Sequence, residues 1–312
     1  MTTFKSNGKL LLTGEYVILD GAKSLAIPTK FGQDLVVEKI KEPQLIWASF
    51  THTGACWFEA VFELPKLRLV NCTFSSDKEG NAEFIAETLQ KILQEARKLN
   101  PGFLKTENGF VVKTNLEFPR NWGLGSSSTL INNIASWAKV DAYKLLWNAF
   151  SGSGYDIACA QNNNPVFYEL KDETPVVTTV DFNPNFADEL FFVHLNKKQN
   201  SREGIAQYKK HREILRQAQN DIKEISLLSD EFVGSNSTKN MEKVIIEHEK
   251  IISSLVKLQP VKKQLFSDYF GEIKSLGAWG GDFVLATGNE DSRTYFNKKG
   301  YKTVLSYREM VL

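Results

Sequence analysis

The sequence predicts an α+β protein of two domains. Strand runs and helix runs follow one another without strict alternation, which disfavours a doubly wound parallel sheet. The chain also changes character near residue 181, from strands interleaved with helices to the order strand, helix, helix, strand. A length of 312 residues suits two domains of ordinary size, placed at 1–183 and 184–312.

The first third reads as strands. Residues 9–12 and 16–19 flank Thr13, Gly14 and Glu15, and 34–40, 44–50 and 55–62 are rich in Val, Ile, Phe and Trp with turn residues between them. A helix is expected at 82–99, where Phe84, Ile85, Leu89, Ile92, Leu93 and Ala96 recur at helical spacing until Asn100-Pro101-Gly102 stops it. Residues 110–114 read as a strand. A helix begins inside the Gly/Ser run that follows and extends to about 139, and a short one covers 142–149. Strands are expected at 166–170 and 176–180. The polar stretch 181–187, with Pro184, is a loop.

The second part opens with a strand at 190–195. A long helix is expected from Asn200, with Glu203 at capping-box spacing and Ile205, Tyr208, Leu215, Ala218, Ile222 and Ile225 on one face. The loop Gly234-Ser235-Asn236-Ser237-Thr238 separates it from a second helix at 241–258, and a glycine cluster at 277–281 leads into a strand at 283–287.

Composition narrows the function. A net charge of +1 gives no global field toward nucleic acid or an anionic membrane, so neither is expected as a partner. Cys56, Cys72 and Cys159 are an odd set without paired spacing, which argues against a disulfide framework or a cysteine zinc site and suggests three buried thiols. Histidines 52, 194, 211 and 248 share no ligand spacing. The run Leu10-Leu11-Leu12 is too short for a signal peptide or a membrane span, and a cytoplasmic protein is expected.

Four segments could carry chemistry. In Trp122-Gly123-Leu124-Gly125-Ser126-Ser127-Ser128, two glycines let the backbone approach a phosphate, and a helix start offers unpaired N–H groups and the positive end of its dipole. A serine-capped helix after a glycine turn satisfies the same pattern, although capping needs one serine and not three. The loop is neither a Walker A loop nor a Rossmann fingerprint. In Ser153-Gly154-Tyr155-Asp156, the aspartate either takes a proton from an attacking hydroxyl or caps a helix from Ile157. Lys9 enters a strand from Gly8, as a solvated lysine or as a cation near a transferred phosphoryl, and Glu15 could pair with it. Lys274-Ser275-Leu276-Gly277-Ala278-Trp279-Gly280-Gly281-Asp282 is either a tight backbone pass or a plain turn.

In this order the four segments resemble the motifs of the GHMP kinases, the family of galactokinase, homoserine kinase, mevalonate kinase and phosphomevalonate kinase. The resemblance runs from residue 8 to about 285. It implies a ribosomal S5 domain 2-like amino-terminal half that binds ATP and a ferredoxin-like carboxy-terminal half. It implies ATP and Mg²⁺ as cofactors. Gly123, Leu124, Gly125, Ser126, Ser127 and Ser128 would bind ATP, with Ser127 as a Mg²⁺ ligand. Asp156 would be the base, and Lys9 would stabilise the substrate oxygen and the moving phosphoryl. Glu15, Tyr16, Gly277, Ala278, Trp279 and Gly280 would line the acceptor site.

The partner implied is a small metabolite with a hydroxyl, most closely mevalonate. Tyr16 after Gly14-Glu15 and the run Asp156-Ile157-Ala158 lean toward phosphomevalonate. Monomer and homodimer are both compatible with the sequence. The chain departs from the pattern where the family carries a Mg²⁺-binding glutamate: the helix at 142–149 has no acid, Leu145 falls about at that position, and Asp141 is the nearest substitute. Trp279 stands where a glycine is usual. A catalytically silent ligand-binding regulator and a decarboxylase of the same superfamily are the other readings.

Overall fold

In a computed structural model of the chain, residues 1–75, 81–197, 205, 208, 209, 218–277, 279 and 281–312 are described. They form two compact units. One is Met1–Gly8, Phe31–Arg120 and Leu124–Gln161; the other is Lys9–Lys30, Asn121–Gly123 and Asn162–Leu312. Strands β1 (Thr2–Leu11) and β2 (Ser24–Ile40) contribute residues to both.

In the first unit, β2 is joined by β3 (Gln44–Phe50), β4 (Cys56–Glu63), β5 (Arg68–Phe74) and β6 (Gly109–Leu116) in the order β5-β4-β3-β6-β2. All neighbours are antiparallel except β3 and β6, which run parallel. Every second residue of these strands points to one face: Leu35 and Val37, Leu45 and Trp47, Phe58, Ala60 and Phe62 are all buried there. Helices α1 (Ala82–Leu99), α2 (Ser126–Ala138) and α3 (Ala142–Ala149) complete the core with Leu89, Leu93, Ile131, Ile134 and Leu145. Each such aliphatic side chain stabilises the unit by about 1.5–3 kcal/mol.

Helix α1 starts where the side chain of Asn81 accepts the amides of Glu83 and Phe84, and it ends with Arg97 and Lys98 against the dipole. Phe84 was expected on its apolar face, but the buried face begins at Ala86 and Phe84 is exposed. Strand β5 has no counterpart in the sequence reading. It is an edge strand whose residues are exposed or half-buried, so no buried alternation marks it. Helix α4 (Tyr155–Gln161) completes the unit.

In the second unit the expected strand at 16–19 is a 3₁₀ turn, Val17–Asp20. Tyr16 takes a left-handed φ of 67°, and the amides of Ile18 and Leu19 bond back to Gly14 and Tyr16, which leaves no extended edge to pair. Strand β7 (Val166–Lys171) pairs with Ser24, Leu25 and Ala26 of β2 and with β8 (Thr174–Thr179).

Four strands then form an antiparallel sheet: β9 (Leu190–His194), β10 (Ile273–Ser275), β11 (Phe283–Thr287) and β12 (Val304–Ser306), in the order β10-β11-β9-β12. Between β9 and β10 come α5 (Ala218–Val233), α6 (Thr238–Val256) and α7 (Val261–Leu265). Between β11 and β12 lies α8 (Asp291–Lys298), and α9 (Tyr307–Met310) follows β12. This is the β-α-β-β-α-β order of a ferredoxin-like sheet. The expected helix start at Asn200 and Glu203, and Leu215, lie outside the described residues; Ile205 and Tyr208 are helical. Of the cysteines expected to be buried, only Cys159 is; Cys56 and Cys72, on the outer strands β4 and β5, are half-buried. Among the described residues no helix is long and apolar enough to cross a membrane.

Candidate active site

At the Gly/Ser loop the expected alternative of a serine cap is not what the structure shows. Helix α2 begins at Ser126, and its N-cap is Gly125, in the left-handed region at φ 89° with no side-chain cap. No serine caps the helix. The Ser128 hydroxyl donates to the Gly125 carbonyl at 2.9 Å, and the Thr129 hydroxyl donates to Gln33 Oε1 at 2.7 Å. The hydroxyls of half-buried Ser126 and exposed Ser127 make no hydrogen bond among the described residues. The first turn carries no acid. A 13-residue helix thus presents its first amides, two spare hydroxyls and an uncompensated dipole, the chemistry of an anion site.

Buried polar contacts set where that helix end sits. Asn132 Nδ2 donates to Ser6 Oγ at 2.9 Å, Ser6 Oγ donates to Asn133 Oδ1 at 2.7 Å, and Asn133 Nδ2 donates to the Gln33 carbonyl at 3.0 Å. The side chain of Gln161, the last residue of α4, donates to Asn132 Oδ1 at 2.9 Å, so α4 is tied to α2. Asp156 lies in the first turn of α4, which starts at Tyr155; it is therefore inside the helix and not the cap of a helix from Ile157. Its side chain is half-buried. The unit brings Ser126, Ser127 and Asp156 onto two tethered helices. Asn132 and Asn133, which fix that arrangement, went unnoticed in the sequence; their signal was a polar pair on an otherwise apolar helix face.

In the second unit Lys9 is half-buried on β1. Asn121, Trp122 and Gly123 are docked on the ferredoxin-like sheet. The Trp122 ring meets Phe283 edge-on at 5.5 Å, and His194 Nε2 is 3.1 Å from the Asn121 carbonyl oxygen. A Cβ on Gly123 would stand 2.3 Å from the carboxyl carbon of Asp282, so only glycine fits. Gly277 and Trp279 both take left-handed φ, 57° and 51°, and Trp279 is buried with its indole nitrogen unbonded. Ala278 and Gly280 lie outside the described residues.

Glu15 is fully buried. Its partner is Lys274 of β10, also fully buried, at 2.6 Å. The described ion pair of Glu15 is therefore to Lys274, and His248 Nε2 lies 3.5 Å from its other oxygen. Lys274 lies 3.4 Å from Glu249 as well. Burial pushes the Glu15 carboxyl up to about 7 against the pull of Lys274, and raises Glu249 too. His248, buried beside Lys274, is held well below its ordinary value. Its Nε2 accepts the Gly14 amide at 3.0 Å, which fixes the neutral ring with its proton on Nδ1. Tyr16 is buried, its ring 5.8 Å from that of Tyr208.

Two expectations about the metal side resolve against an acid. Leu145 is fully buried in the core of the first unit. Asp141 caps α3, its Oδ1 accepting the amides of Tyr143 and Lys144 at 2.8 and 3.0 Å. Among the described residues no group of three His, Cys, Asp or Glu side chains could hold a metal ion.

No protein-family model matches the sequence, and no curated protein matches it by sequence. Solved structures do match by shape. The mevalonate kinase of Methanococcus jannaschii aligns with a TM-score of 0.70 over 97% of this chain and 96% of that one, at 15% identity. A Streptococcus pneumoniae phosphomevalonate kinase, solved with phosphomevalonate and AMPPNP, aligns at 0.68 over 98% and 100%, at 16% identity. A Lactococcus lactis galactokinase complexed with galactose aligns at 0.65 over 95% and 88%, at 14% identity. The chain has the GHMP kinase fold. The α+β class and the resemblance read from the motifs are thereby borne out over nearly the full length of the chain. At these identities the likeness speaks for the fold; the chemistry of the GHMP fold in this chain rests on its own residues.

Proposed function

We propose that the protein is an ATP-dependent kinase that transfers the γ-phosphoryl group to a hydroxyl of a small metabolite, in the manner of a mevalonate kinase, and works in the cytoplasm. The observation that carries this reading is the start of α2. A left-handed glycine replaces the side-chain cap, no acid neutralises the dipole, and two serine hydroxyls are unspent.

The residues fit a nucleotide phosphate and Mg²⁺. The amides of the first turn and Ser126 would hold the phosphates, and the exposed Ser127 hydroxyl would offer one oxygen to Mg²⁺. Mg²⁺ keeps several waters readily, so one protein hydroxyl with phosphate oxygens and water makes a reasonable set. When bound, the ion neutralises charge on the phosphates. Asp156 takes the proton from the acceptor hydroxyl. The acceptor oxygen bonds to the γ-phosphorus, the bond to the bridging oxygen breaks, and ADP leaves. Lys9 offsets the charge on the transferred group. Gly277 and Trp279, with Tyr16, would line the acceptor side.

Phosphomevalonate is the second acceptor, favoured by Tyr16 after Gly14-Glu15 and by Asp156-Ile157-Ala158. A silent ligand-binding regulator is the alternative favoured by Leu145 at the place of an acid. The test is a panel of mevalonate, phosphomevalonate, galactose and homoserine with ATP and Mg²⁺, read as ADP release coupled to acceptor phosphorylation. Turnover of mevalonate or phosphomevalonate is expected; none with any acceptor would remove the kinase reading.

A further inference from the structure

Lys274, Glu15, Glu249 and His248 form the most heavily buried charge cluster on the GHMP fold of this chain, and the phosphoryl-transfer scheme leaves it unused. Lysine and glutamate are almost never fully buried unless paired. Two carboxylates here surround one ammonium. A cluster of this kind adds little stability over an apolar filling, because desolvation offsets the Coulombic attraction. What it adds is direction. The ammonium donates to Glu15 Oε1 at 2.6 Å and to the Ser275 carbonyl at 2.9 Å. Glu249 accepts the Ser275 amide at 3.1 Å and its hydroxyl at 2.7 Å. His248 takes the Gly14 amide, and the hydroxyls of Thr13 and Ser229 lie 2.7 Å apart. The turn at Thr13–Glu15, which ends the strand carrying Lys9, is thereby fastened to α5, α6 and β10. Strand β10 leads directly into Gly277.

We propose that Lys274 is a positioning residue: its ion pair with Glu15 locks the turn after β1 to β10, and so holds Lys9 and the chain at Gly277 in one arrangement for the acceptor. This rests on the kinase reading. Glu15 acts through Lys274, since its own carboxylate is sealed from solvent.

The arithmetic of the cluster gives a clean test. Glu15→Gln removes one of two acids and leaves Lys274 balanced by Glu249, so the protein keeps its melting temperature while the tie is cut. Glu249→Gln removes the other acid and keeps the tie. In steady-state kinetics, Glu15→Gln is expected to lower kcat/KM for the acceptor by about tenfold to a hundredfold, the scale of a small misplacement of reacting groups. The KM for ATP should stay unchanged, because neither Glu15 nor Lys274 is among the residues proposed to hold the phosphates. Glu249→Gln should stay near wild type. Wild-type kinetics in Glu15→Gln, or parallel losses in both KM values with a falling melting temperature, would overturn the proposal. Should the wild-type protein phosphorylate no acceptor, the kinase reading fails separately and hydrogen exchange decides the tie. Faster exchange at residues 14–16 and 273–277 in Glu15→Gln alone supports it; equal exchange in both variants overturns it.

Discussion

The two units hold their polar groups in opposite ways. In the first, the groups proposed to do the work are open: the Ser127 hydroxyl is exposed, Ser126 and Asp156 are half-buried, and the amides at the start of α2 have no side-chain cap among the described residues. In the second, Glu15, Lys274 and Glu249 are sealed and paired around the neutral ring of His248, and among the described residues Glu15 Oε2 and His248 Nδ1 have no hydrogen-bond partner. Open, unspent donors are suited to a ligand. Closed, paired charges are suited to geometry. Each side is therefore expected to fail differently when a residue is removed.

The largest effect belongs to the open side. Asp156→Ala should lower kcat by about 10²- to 10⁴-fold and leave the melting temperature nearly unchanged, because the half-buried carboxylate supports no core packing. Turnover with calorimetry on the same variant checks both halves. On the closed side, Lys274→Met leaves two buried acids without their cation. It should cost about 3–5 kcal/mol of stability, measured by urea unfolding, and stability at wild-type level would break the comparison.

A smaller effect lies in the pH dependence of stability. Glu15 goes from 4.5 in the unfolded chain to about 7 when buried, so the folded state binds the extra proton between these values. Its contribution is lost as pH rises through that window. His248 works the other way. Its folded value lies well below 6.5, so the unfolded chain binds the extra proton, and its contribution is gained as pH rises toward 6.5. The two slopes oppose each other beside Lys274, with Glu249 adding to the sense of Glu15. His248→Gln removes one side. As pH rises toward 6.5 its stability should fall relative to wild type. Thermal melts across that rise in pH read the slope, and parallel curves for the two proteins would contradict the assignment.

Much of this fold was legible because its signals are local. Periodicity and the stop at Asn100-Pro101-Gly102 mark α1, and β3 and β11 stand between clear turn residues. The order of the four motif segments carried the GHMP resemblance, and the shape agrees with it. Strand β5 was missed because an edge strand needs no buried face. The turn at 17–20 was mistaken for a strand because its apolar residues are buried by the rest of the fold and not by pairing. The Lys274–Glu15 pair was out of reach for another reason. Its partners are 259 positions apart, and nothing beside Lys274 in the sequence distinguishes a sealed lysine from a solvated one.

The central claim is that the open end of α2 holds a nucleotide whose phosphoryl group is then transferred. It is tested most directly by measuring ATP binding and acceptor phosphorylation on one preparation with Mg²⁺ present, with the acceptor panel in excess. Saturable ATP binding accompanied by phosphorylated mevalonate or phosphomevalonate is the predicted result. Tight ATP binding with no transfer to any acceptor would contradict it and leave a ligand-binding regulator in its place.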